Sequence, residues 1–103
     1  MTTKAYKVHV PQQYNDGTPV PTALIEEILD QALELFGGYS FNPMPIVGAW
    51  RECASNKNYI EKMYVLEMAT CDCARLKEFA EYIRDTLKQE CVYVVELGEV
   101  NFI

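Results

Sequence analysis

Residues 21–38 run PTALIEEILDQALELFGG, an amphipathic helix with a stop signal at its end. Ile25, Ile28, Leu29, Ala32, Leu33 and Phe36 recur at intervals of three and four, which places them along one side of a helix. Glu26, Glu27, Asp30, Gln31 and Glu34 fall on the other side. Pro21 suits the first helical position, where the N–H that proline lacks would be unpaired anyway. Gly37 and Gly38 stop the helix, because glycine takes the left-handed cap conformation without a Cβ penalty. A single apolar stripe has to be buried against another element, and the segments on both sides read as strands.

Upstream, Ala5 to Val10 alternates, with Tyr6, Val8 and Val10 on one side and Lys7 and His9 on the other, the period of a half-buried strand. Asn15-Asp16-Gly17, Pro19 and Pro21 make the connection to the helix a turn-rich loop. Downstream, Tyr39 to Pro45 holds two prolines and two aromatics and reads as an ordered loop. Ile46 to Arg51 is a short strand, Ala54 to Asn58 a polar turn, and Tyr59 to Met68 a longer strand. Ile60, Tyr64, Leu66 and Met68 are expected to face the core, and Glu61, Met63, Val65 and Glu67 to face away. Thr70 or Asp72 caps a second helix whose stripe is Leu76, Phe79, Ala80, Ile83 and Leu87. Cys91 to Leu97, rich in β-branched and aromatic residues, closes the chain as a strand that continues past Gly98 into residues 100–103.

The order βαββαβ predicts an α+β fold, a ferredoxin-like sandwich: a four-stranded antiparallel sheet with strands one and three central and both helices on one face. At 103 residues there is room for one core, so the whole chain, 1–103, is one domain. The expected core packs Ile25, Ile28, Leu29, Leu33, Phe79 and Ile83 over Val8, Tyr64, Leu66 and Val95. The other sheet face is expected to carry Met63, Val65 and Val94 beside Lys7, His9, Glu61 and Glu67. An apolar centre with a charged edge points to a homodimer through that face or by extension of a sheet edge.

Composition excludes several function classes. Fifteen acids against nine bases give a formal charge of −6, which argues against direct nucleic-acid binding by phosphate neutralisation. No apolar run reaches the length of a signal peptide core or a membrane span, so a cytoplasmic protein without membrane contact is expected. Cys53, Cys71, Cys73 and Cys91 then read as thiols. Cys71-Asp72-Cys73 lacks the spacing and the second ligand pair of a metal site. The glycines form no phosphate loop or dinucleotide fingerprint, and no cofactor is implied. His9, the single histidine, has no helper and reads as exposed on the open sheet face. Neither serine sits in a nucleophile motif, so the chain reads as non-enzymatic.

Two groups remain as binding candidates. Tyr6, Tyr64 and Tyr93 are expected in the core, whereas Tyr14, Tyr39, Phe41 and Trp50 lie in or beside loops where periodicity requires no burial. Glu26, Glu27, Asp30 and Glu34 make the first helix acidic with no base between Pro21 and Phe36, while Lys77, Arg84 and Lys88 offset the acids of the second. The acidic ridge suits a protein partner with a basic surface.

Phe36-Gly37-Gly38, then Gly48-Ala49-Trp50, then Glu61 after a polar turn, resembles small α+β proteins of bacteria and their phages. The likeness runs from Asn15 to Glu61, with Tyr39 standing where that pattern has a small polar residue. It implies a stand-alone domain, sometimes encoded on mobile elements, with no agreed activity, and no catalytic residue is carried over from it. The function expected is a binding protein, such as a phage-encoded inhibitor of a host protein, using the acidic helix and the aromatic loop. The alternative is a homo-oligomeric binder of a small nucleotide-like ligand, or a small enzyme, with its pocket at a subunit boundary.

Overall fold

In the computed structural model, which describes Thr2 to Ile103, the apolar stripe forms a helix over Thr22–Phe36 (α1) that buries Ile25, Ile28 and Ala32. Gly37 takes the left-handed conformation at φ 74°, and its N–H donates to the Leu33 carbonyl at 2.8 Å. The other elements are Lys4–Pro11 (β1), Ser40–Arg51 (β2), Asn58–Thr70 (β3), Cys73–Thr86 (α2) and Val94–Glu99 (β4). The strands pair antiparallel in the order β2-β3-β1-β4, so β1 and β3 are central as expected for the ferredoxin-like α+β fold.

Phe79, Ile28, Leu66, Ile83, Leu87, Val8 and Val10 are fully buried between the helices and the sheet. Four expected core residues lie elsewhere. Ile60 is 76% exposed: it pairs with Ala49 beyond the last β1–β3 pair, Pro11 with Met63, so the β2–β3 hairpin runs past the core there. Leu33 is 52% exposed. It follows buried Ala32, and one helical step turns it about 100° away from the sheet. Val95 pairs with Lys7 on the open face, while Val94 pairs with Val8 on the core side. Val92 to Val95 is apolar without alternation, so its face was not readable from spacing. Tyr93, expected in the core, is 62% exposed and precedes β4.

The segment 39–45 is strand rather than loop from Ser40 onward. β2 is an edge strand, bonded on one side only, and the register shifts between Asn42 and Ile46. Pro43 and Pro45 fall inside that irregularity, where missing N–H groups cost little. The closing strand is shorter than expected and ends at Glu99, with Val100 N–H still donating to the Thr3 carbonyl at 3.1 Å. Among the described residues, no helix is long and apolar enough to cross a membrane.

Asp72, rather than Thr70, caps α2: its carboxylate accepts from the Ala74 and Arg75 N–H groups at 3.0 and 3.1 Å. Thr70 in turn accepts from the Asp72 N–H at 3.0 Å. Asp72→Ala is expected to destabilise the protein by about 1 kcal/mol, read as a lower urea midpoint.

Candidate functional site

The glycines that end α1 also start a cleft. Gly37 turns the chain across the end of the sheet, so that Tyr39 and Ser40 enter β2 beside β3. A cavity of ≈ 380 Å³ lies between residues 37–40, Ala5 of β1, residues 67–69 of β3, and Val100 and Phe102. Tyr39 and Phe102 are 39% and 81% exposed and offer ring faces to a flat ligand. Ser40 supplies a hydroxyl. Glu67 is the one charged residue lining the cleft among the described residues. Among the lining residues a polyphosphate would meet a carboxylate and no base, since Lys7, the strand partner of Glu67, lies outside the lining.

Glu67 also belongs to the open sheet face, opposite Lys7. Ile46, Met63, Val65 and Val95 lie on that face by register, with Trp50 stacked on Tyr59 at 4.5 Å further along the hairpin. Gly48 is the strand partner of Glu61, and a Cβ there would collide with the Met63 methyl. Among the described residues, Glu61 is the half-buried carboxylate without a hydrogen bond or ion pair. The six residue steps from Glu61 to Glu67 span about 20 Å of strand, so one copy cannot bring both carboxylates to one small ligand.

His9 lies on the open face, but it is half-buried rather than exposed. Its ring packs on Tyr93 at 4.7 Å, and its Nε2 is buried without a hydrogen-bond partner among the described residues. Burial, with the Lys7 charge second, holds its pKa below the ordinary 6.5. The unfolded chain therefore takes up the proton first as pH falls. Stability from neutral His9 is present above pH 6.5 and lost on acidification below it. His9→Phe is expected to flatten the acid side of a stability–pH curve measured by urea unfolding.

The structure does not gather the sequence candidates into one surface. Tyr39 lines the cleft. Phe41, read as a loop residue, packs inward at 5.2 Å from Tyr64. Tyr14 is half-buried against the core. Trp50 is on the open face, with Tyr59 held by a hydrogen bond to Glu52 at 3.2 Å. Glu26, Glu27, Asp30 and Glu34 are exposed on α1, on the helical side of the sheet. Glu27 lies near enough to Tyr82 for its charge to add to the burial that raises the phenol pKa. Glu67, Ser40, Phe102 and Glu61 were missed as site residues. Phe102 and Glu67 reach the cleft only through tertiary folding, although unexplained strand carboxylates were a visible signal.

No family model and no curated protein matches this chain. Solved structures do match its fold. CutA1 from Oryza sativa superposes with a TM-score of 0.68 at 11% identity, over 100% of this chain and 84% of that one. A phage SAM lyase in complex with S-methyl-5′-thioadenosine gives 0.69 at 13% identity, over 98% and 89%. CutA from Synechococcus elongatus gives 0.60 at 12% identity, over 96% and 80%. The chain shares one α+β fold with these proteins across nearly its whole length.

Proposed function

We propose that this chain is a homo-oligomeric protein that binds a neutral or cationic adenosine-type ligand in the cleft at Gly37–Ser40, and that a sulfonium of the SAM class is its substrate. The observation that carries this reading is the cleft lining: exposed aromatic rings, a hydroxyl, and a carboxylate with no base. Support also comes from the end-to-end likeness to a SAM lyase that holds S-methyl-5′-thioadenosine. The chemistry asks little of the protein. The substrate's own carboxylate can attack its γ-carbon as the C–S bond breaks, which gives a lactone and a neutral thioether, so no acid is needed to protonate the leaving group and the lack of a histidine in the cleft is no obstacle. A carboxylate holds the cationic sulfur electrostatically. A second copy seated on the apolar open face brings its own Glu61 and Glu67 to the boundary, which reconciles the two distant carboxylates with one ligand.

Incubation of the purified protein with S-adenosylmethionine, followed by chromatography and native mass spectrometry, tests this. The expected result is an oligomer that retains the adenosine ligand and releases S-methyl-5′-thioadenosine. A monomer that retains neither compound overturns it.

A second reading follows from a separate observation. Glu26, Glu27, Asp30 and Glu34 are exposed and without ion pairs among the described residues. This one-signed surface suits a basic protein partner, as for a phage-encoded inhibitor acting in the cytoplasm. Replacing the four acids with Lys slows association with such a partner and leaves the cleft's ligand affinity unchanged, which separates the two readings.

A further inference from the structure

We infer that Cys71 and Cys73 are a peroxide-sensitive dithiol that controls the cap of α2, a modification site distinct from the cleft and independent of its ligand. Both thiols are free and exposed, and both line a second cavity of ≈ 270 Å³ together with Lys4, Tyr6 and Thr70. The Tyr6 hydroxyl stands 4.0 Å from the Cys73 Sγ and holds that sulfur at the cavity wall. Cys53, in the turn between β2 and β3, and Cys91, between α2 and β4, are equally exposed, and neither lines this cavity.

Residues two apart reach at most about 7 Å between Cα atoms, and a disulfide closes at about 4.4–6.8 Å. Each thiol is thus the nearest trap for an oxidised form of the other.

The chemistry balances with hydrogen peroxide as oxidant. The Cys73 sulfur attacks one peroxide oxygen, the O–O bond breaks, and the hydroxide released takes the thiol proton as water. Cys73 is left as a sulfenic acid. The Cys71 sulfur then attacks the Cys73 sulfur, the S–O bond breaks, and hydroxide leaves with the Cys71 proton as a second water. Asp72 lies between the two sulfurs, so the closed ring draws it out of the extended cap conformation (φ −113°, ψ 98°) from which it holds the Ala74 and Arg75 N–H groups.

Mild peroxide treatment, thiol alkylation and mapping of the tryptic peptide Met63–Arg75 test the inference. The expected product has alkyl groups on Cys53 and Cys91 only, with the peptide lighter by two hydrogens and restored by dithiothreitol. In Cys71→Ser, Cys73 is expected to stop at a sulfenic acid that dimedone captures. Equal alkylation of all four cysteines after peroxide overturns the inference, as does a bridge to Cys53, to Cys91 or between chains. Capture by dimedone at Cys53 or Cys91 as readily as at Cys73 does so too.

Discussion

Phe79→Ala is expected to lower the free energy of unfolding by about 3–5 kcal/mol. Phe79 is fully buried, meets Phe36 edge-on at 5.3 Å and lies against Tyr82, so it joins α2 to the last turn of α1. Truncation leaves a cavity that neither helix can close without moving the other. Against a total of about 5–15 kcal/mol for a domain, the loss is a large share of the stability. Leu33→Ala is the matched control. Half-exposed Leu33 is expected to cost about 0.5 kcal/mol or less. Urea unfolding of both variants checks the pair, and equal shifts would mean that the helical face has been drawn wrongly.

Tyr39→Ala is expected to weaken binding of S-methyl-5′-thioadenosine by about 1–3 kcal/mol, the usual worth of a base stacked on an aromatic ring. Trp50→Ala, on the far end of the hairpin, is expected to affect assembly before it affects the cleft. Glu67→Gln separates the two ligand charges. It keeps a polar group of the same size, so the neutral thioether should bind nearly as before, while the cationic sulfonium loses its counter-charge. Calorimetric titration of each ligand into each variant reads both effects. Equal losses for the neutral and cationic ligands would remove the electrostatic role assigned to Glu67.

The fold was legible because its periods are clean where elements are amphipathic. Tyr6, Val8 and Val10 alternate without interruption, and the α1 and α2 stripes end at recognisable caps. Elsewhere the pattern loses its period. Val92 to Val95 gives no alternation to assign a face, so spacing does not say that Val94 joins Val8 on the core side and Val95 joins Lys7 on the open side. Pro43 and Pro45 suggested a loop because proline weakens a ladder, yet an edge strand with a register shift tolerates both. Of the candidate site, Tyr39 was legible as an aromatic that no stripe required. Its companions were not, since Ala5, Glu67 and Phe102 are brought beside Gly37 only by the crossing of three strands and the tail. Local spacing carries no information about such a meeting. The same limit explains why Phe41 and Trp50 looked equivalent in sequence, although the strand register sends one to the core side and the other to the open face.

The most direct measurement is a map of backbone amide chemical-shift changes as S-methyl-5′-thioadenosine is titrated into the protein. Saturable shifts are expected at residues 37–40 and 67–69, with little change along the exposed face of α1. Shifts confined to α1 or to the turn between β2 and β3, or no saturable shifts at all, would contradict it.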